Sequence, residues 1–151
     1  MLSDDTRVLE DLIETLEDGR EGFKQAAEKL EDDGHSELAA QMREFSDQRA
    51  RFSSELRQLA SGRGTEIKES GSAAGALHRG WMSLKDALTG DDPHAVLSAA
   101  ETGEDHAVSE YEDAVEDEAL PSEFRDVVRK QAAEVRRAHD TVKALRDRFA
   151  D

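Results

Sequence analysis

Inward-facing carboxylates on helices are the residues through which this sequence could carry redox chemistry. A di-iron or di-manganese site between helices needs about four such carboxylates and usually two histidines. Glu-x-x-His motifs commonly supply part of this set, because their spacing directs both side chains to one metal. No Glu-x-x-His motif occurs in the sequence. The carboxylates that remain for an unusual iron or manganese site are Glu21, Glu104 and Glu134.

An arginine among the interior positions favours a structural role for the same region. The helical phase places four residues toward the interior at similar heights: Arg49, Glu104, Gln131 and Glu134. A buried charge must be paired or hydrogen-bonded, so we expect a buried polar network in which Arg49 pairs with Glu104 or Glu134. A nearby positive charge lowers the affinity for a cation. This interpretation therefore predicts no cofactor, and iron or manganese belongs to the alternative.

The histidines and serines show no recognisable catalytic arrangement. We expect His139 at the surface or in helix packing, and three further histidines at exposed or end-of-helix positions: His35, His94 and His106. The serines lack a nucleophile elbow or a base at a fixed spacing, and the sequence contains no cysteine. We therefore predict no catalytic residue.

Four long helices, predicted by apolar residues that recur at helical spacing, must position these candidates. Their approximate predicted bounds are Asp4–Asp32, Ser36–Gly62, Pro93–Glu118 and Pro121–Phe149. Asp92 before Pro93 is a strong helix start, because its carboxylate can cap free backbone N–H groups. Ser36 is expected to cap the second helix. In this phase, three acids of the first helix fall on its outer face: Glu14, Asp18 and Glu21.

The segment GSAAGALHRGWMSLKDALTG, from Gly71 to Gly90, predicts a short helix bounded by glycines. One side of this crossover helix would carry Leu77, Trp81, Leu84 and Leu88. We expect Leu77 and Trp81 to dock it in a groove of the bundle, while His78 and Arg79 hydrogen-bond to carboxylates or helix ends. The functional alternative is that these side chains line a pocket for a ligand or a partner.

The lengths of the connections predict the topology. Two short links make each pair of helices antiparallel, whereas the crossover of about residues 61–92 can return the chain to its starting end. The second and third long helices would then run in the same direction. We expect one domain over residues 1–151, of the all-α class: an up-down four-helix bundle with a long crossover that carries a short fifth helix.

Several segments of the chain resemble an uncharacterised bacterial family of ferritin-like four-helix-bundle proteins, known mainly as a domain of unknown function. The matching pieces are LEDLIETLEDGREGFKQAAE, FSSELRQL, GSAAGALHRGWMSLKDALTG, GEDHAVSEYEDAV and AEVRRAHDTVKALRD. They cover nearly the whole chain, and LHRGW is the most specific. The resemblance implies a ferritin-like fold without an assigned activity.

The charge of the chain restricts its partners. The net charge is −16, and residues 91–120 contain eleven acidic residues and no Lys or Arg. Nucleic acids and anionic membranes require clustered basic residues, so neither is expected to bind. The N-terminal residues lack a signal-peptide pattern, and no apolar run reaches membrane-spanning length. These observations predict a soluble, cytoplasmic protein.

Two functional hypotheses follow from the sequence. The first is a non-catalytic ferritin-like bundle that forms homo-oligomers as a structural or interaction protein, with a link to stress that only the resemblance suggests. The alternative is a non-haem di-metal protein with oxygen or peroxide chemistry. The missing Glu-x-x-His motifs favour the first.

Overall fold

The computed structural model describes residues 4–64, 67 and 77–150, and these form helices and connecting turns without a strand. The helices are α1 (Asp4–Asp32), α2 (Ser36–Gly62), α3 (Leu84–Ala87), α4 (Pro93–Glu116) and α5 (Ser122–Arg148). The predicted long helices are all present, and α4 ends two residues earlier than expected. None of the described helices combines the length and apolar character that a membrane span requires.

Local backbone chemistry determines where the long helices begin. At the start of α4, the Asp92 carboxylate accepts a hydrogen bond from the backbone N–H of His94 at 2.9 Å, as predicted. Pro93 occupies the first turn, where its missing N–H needs no partner. Between α1 and α2, Gly34 has a φ of +86°, a conformation that other residues rarely adopt.

The predicted cap at Ser36 is wrong. Ser36 is the first residue of α2, and its hydroxyl donates to Glu31 Oε2 at 3.0 Å instead of accepting from the backbone of its own helix. His35 precedes the helix and forms no capping hydrogen bond through its side chain. The short link to α1 holds the Ser36 hydroxyl beside the last turn of that helix.

The long helices enclose two hydrophobic clusters. One joins the second half of α1 to the first halves of α2 and α4 and the second half of α5, and includes Phe23, Met42, Leu97 and Val142. The other joins the opposite halves and includes Leu12, Leu56, Tyr111 and Phe124. Therefore α2 and α4 run in the same direction, and the crossover returns the chain along the bundle. Helix α1 packs against α2 and α4, while α5 packs against α4 and α2.

The crossover helix is much shorter than predicted. Residues 71–76 lie outside the described part of the chain, residues 77–83 form irregular turns, and only Leu84–Ala87 is helical. Arg79 and Gly80 have φ values of +24° and +77°, which turn the backbone before Trp81. A Cβ atom at Gly80 would lie 2.8 Å from Cβ of His106, so this turn closely approaches α4.

Trp81 occupies a slot between α1 and α4. A Cβ atom at Gly22 would lie 2.3 Å from the indole ring, and one at Gly103 would lie 2.2 Å from it. The ring is 2% exposed and contacts Phe23 edge to face, with 4.9 Å between the ring centroids. The absence of side chains at the two glycines therefore creates the space that docks the crossover.

We predict that Trp81→Ala lowers the free energy of unfolding by roughly 3 kcal/mol or more, because it empties a fully packed aromatic site. Urea denaturation followed by circular dichroism measures the change. Met82→Ala is the control, because the neighbouring Met82 side chain is 61% exposed and should contribute little. An unchanged denaturation midpoint for Trp81→Ala would contradict the proposed contribution of the docked ring.

Candidate functional site

A buried ion pair connects α2 to α4 near the middle of the bundle. Arg49 Nη1 donates to Glu104 Oε1 at 2.5 Å, and Nη2 donates to Oε2 at 2.8 Å. Their side chains are 1% and 0% exposed. This two-point contact orients both planar groups and compensates two charges that would be costly to bury separately.

The remaining contacts of Arg49 hold its guanidinium in place. Its Nε donates to Gln48 Oε1 at 3.1 Å, and its Cζ lies 5.3 Å from the centre of the Phe23 ring. The ring face attracts the positive charge. Each Glu104 oxygen already accepts a hydrogen bond from Arg49. A metal ion at this position would therefore compete with a fixed guanidinium for its ligand.

Gln131 belongs to a neighbouring hydrogen-bond network. Its side-chain oxygen accepts from the Tyr111 hydroxyl at 2.7 Å, and its amide nitrogen donates to Glu55 Oε1 at 2.7 Å. Burial raises the pKa of Tyr111, so the phenol remains protonated and able to donate. This network joins α4, α5 and α2.

The expected place of Glu134 in the buried network is wrong. Its side chain is 42% exposed and pairs with Arg137 one turn later on α5, at 2.8 Å. Glu21 is half-buried on α1 and accepts a hydrogen bond from Gln25 at 3.2 Å. Among the described residues, the three proposed metal ligands Glu21, Glu104 and Glu134 do not form a compact ligand group.

The crossover covers a face of α1 that was expected to face outward. Asp18 is buried, and its Oδ2 lies 3.4 Å from Arg79 Nη1. Arg79 also donates to Glu14 Oε2 at 2.5 Å. Burial raises the pKa of Asp18, and the positive charge of Arg79 only partly opposes this shift. The outward placement of Asp18 is thus wrong, because helical phase alone does not show what a crossover covers.

His78 and Leu77 complete the expected docking set. Leu77 is partly buried against the hydrophobic cluster that contains Trp81. His78 is half-buried, and its enclosed Nε2 atom has no hydrogen-bond partner among the residues that the structure describes. Arg79 supplies hydrogen bonds from the crossover to Asp18 and Glu14.

A second group of ionisable residues lies on the α4–α5 surface. One possible ligand atom from each of Glu101, Asp105 and His139 lies within 4.8 Å of the others. This group was not predicted from the sequence, although Glu101 and Asp105 have the i, i+4 spacing that places both on one helix face. His139 lies on the facing helix, and that proximity has no local signal in the sequence.

Both imidazole nitrogens of His139 face carboxylates. Nε2 lies 2.6 Å from Asp105 Oδ1, and Nδ1 lies 3.1 Å from Asp140 Oδ1. Burial opposes the charged ring, but the hydrogen bonds to Asp140 and Asp105 outweigh it and raise the pKa of His139. Arg146 forms an ion pair with Glu101 beside this group and a second with Asp147 at 2.8 Å.

Most of the chain matches a known protein family. Residues 4–118 match a family described as a domain of unknown function, DUF2383. The chain belongs to the DUF2383 family. No curated protein matches it.

The DUF2383 match includes α1 to α4 and ends before α5. The Arg49–Glu104 pair, the Trp81 slot and the Arg79 contacts all lie within the matched residues. Gln131 and His139 lie beyond them, on α5. The matched residues therefore include the ion pair and the docked crossover, and the description of the family assigns no activity to them.

We predict that Arg49→Met destabilises this DUF2383 protein by roughly 3 to 5 kcal/mol, because it strands the Glu104 charge in the interior. Adding Glu104→Gln should recover part of this loss. Urea denaturation of the two single variants and the double variant measures the coupling energy.

The exposed pair of Glu134 and Arg137 provides a matched control. The corresponding cycle, with Arg137→Met and Glu134→Gln, should give a coupling of at most about 1 kcal/mol, because water screens both charges. If Arg49→Met and the double variant lose equal stability, then Arg49 and Glu104 are not energetically coupled.

Proposed function

We propose that this DUF2383 protein is a non-catalytic, ferritin-like bundle of the bacterial cytoplasm. It self-associates as a structural or interaction protein, and the family resemblance links that role to stress survival. The proposal rests mainly on the buried contact between Arg49 and Glu104. This contact places a guanidinium in the middle of the bundle, where a di-metal protein would hold its metal ions.

The helix directions support the ferritin-like assignment. A long connection leads from α2 to α4, and these two helices run in the same direction. Ferritin-like folds likewise contain one long crossover between two helix pairs. This likeness concerns architecture alone, since one fold can carry different functions or none.

The chemistry of the interior supports a non-catalytic role. Di-metal bundles depend on several inward carboxylates that are available to the metals. Here Glu104 is engaged by Arg49 through both oxygens, and Gln131 binds Tyr111 and Glu55. The positive charge of Arg49 further disfavours a cation beside Glu104.

The surface charges support self-association. Exposed acids occupy the second half of α4, including Asp113 and Glu116, whereas α5 exposes Arg129 and Lys130. In a two-fold dimer, each copy can present its basic α5 surface to the acidic α4 surface of the other, so that the contact occurs twice. Local attraction of this kind would oppose the repulsion expected from the net charge of −16.

We predict that the protein, purified without chelator, contains only substoichiometric tightly bound iron or manganese and shows no ferroxidase turnover. Elemental analysis and an iron-oxidation assay measure these two quantities. The di-metal alternative instead predicts two metal ions per bundle, which Glu104→Ala would remove. Stoichiometric iron that oxidises in air would reject the non-catalytic proposal and favour that alternative.

We also predict a dimer or larger oligomer that dissociates as salt rises from about 0.05 M to about 0.5 M, because salt screens the contacts between surface charges. Sedimentation equilibrium measures the mass. Lys130→Glu should weaken association, whereas Lys85→Glu, on the exposed side of α3, makes the same change in net charge elsewhere. A monomer under low-salt conditions across the accessible concentration range would contradict self-association.

A further inference from the structure

We propose that Glu101, Asp105 and His139 form a binding site for a zinc-class divalent cation on the α4–α5 surface. One ligand atom from each residue lies within 4.8 Å of the other two. A cation placed among them would therefore receive two carboxylate oxygens and one imidazole nitrogen. The group is separate from the interior contact of Arg49, since Glu104 points inward from α4 and is completely buried.

The carboxylates around His139 favour a positive charge at Nε2, which either a proton or a metal ion that displaces it can supply. Nδ1 lies 3.1 Å from Asp140, while Nε2 lies 2.6 Å from Asp105. A neutral imidazole has only one N–H group, so it can donate to only one of these carboxylates. When the ring is neutral and Nδ1 donates to Asp140, the lone pair of Nε2 faces Asp105. A metal ion can bind both atoms after they separate from 2.6 Å to roughly 3.3 Å, the spacing of two ligand atoms around zinc.

Asp140 then plays a recognised supporting role. In metal sites, the second nitrogen of a histidine ligand commonly donates to a carboxylate, which fixes the ring and increases the basicity of the nitrogen that binds the metal. The 3.1 Å contact between His139 and Asp140 has this arrangement. This contact supports His139 as a metal ligand independently of the two carboxylates, Glu101 and Asp105, that would share the ion.

The mixed ligand set indicates the class of ion. Calcium and magnesium prefer oxygen ligands alone, whereas zinc readily combines imidazole nitrogen with carboxylate oxygen. Asp105 is exposed, so the site is accessible from solvent, and water can complete the coordination shell. Cobalt(II) is a suitable spectroscopic substitute because it accepts the same ligand types.

Arg146 opposes this cation. Its guanidinium pairs with Glu101, and it also contacts Asp147 at 2.8 Å. When a cation binds, Glu101 must leave the guanidinium of Arg146 and bind the metal instead. Arg146 then keeps its ion pair with Asp147. The positive charge of Arg146 thus limits the affinity of the site, and its removal should strengthen binding.

Titration of Zn²⁺ into the chelator-stripped full-length chain, in competition with a chromophoric chelator, tests the proposal. We expect one Zn²⁺ per chain, bound roughly tenfold or more weakly by His139→Gln. His35→Gln is the matched control and should leave the affinity unchanged. Arg146→Gln should bind Zn²⁺ on the order of fivefold more tightly, whereas Arg148→Gln, in the same turn of α5, should not.

Asp105→Asn provides a second test at an exposed position where loss of folding is not expected. It should weaken Zn²⁺ binding, and it should reduce the visible absorption of bound Co²⁺. Equal affinities for wild type, His139→Gln and Asp105→Asn would overturn the proposal. Binding that is lost in Glu104→Ala but retained in His139→Gln would instead place the ion in the interior and reject the proposed non-catalytic function.

Discussion

The buried contact between Arg49 and Glu104 joins helices from the two halves of the chain, and the packing around it depends on both charges remaining together. Neither group has water to solvate it if the other is removed. The Phe23 ring lies against the guanidinium, which links the pair to α1 as well as to α2 and α4. Three of the four long helices are thus positioned by one ionic contact.

The ion pair also restricts how far the helices can slide along one another. One hydrophobic cluster lies toward each end of the bundle, and Arg49 lies between them on α2, after Phe45 of one cluster and before Leu56 of the other. A shift of α2 along its axis would move the guanidinium away from Glu104 and into apolar surroundings. Buried ionic contacts commonly contribute little net stability relative to apolar packing. Since such a shift would separate the two buried charges, we expect the pair to disfavour alternative registers.

The sequence contained enough local information to predict the long helices. Apolar spacing identified α1, α2, α4 and α5, and the Asp92 cap was recognisable because its chemistry lies within a few residues. The crossover was harder. Its leucines and Trp81 suggested one continuous helix, but the close approach of Gly80 to α4 turns the backbone before Trp81, and only a short helix follows.

Site prediction failed where the answer depended on a neighbouring element. Asp18 appears on the outer face of α1 when that helix is considered alone, yet Arg79 of the crossover covers it. The helical periodicity places Glu134 toward the interior, but its side chain is partly exposed and pairs with Arg137 on the surface of α5. The proximity of His139 to Asp105 likewise arises from the packing of two helices, which no local spacing specifies.

The glycine-lined slot around Trp81 has a consequence for the order of folding. Its two walls are Gly22 of α1 and Gly103 of α4, which lie in different helical hairpins. Neither hairpin alone contains the complete slot, so the indole reaches its final environment only when the two hairpins have met. Formation of helices can precede this event, since local contacts close faster than distant ones. Burial of Trp81 therefore reports assembly of the two halves of the chain into one cooperative unit.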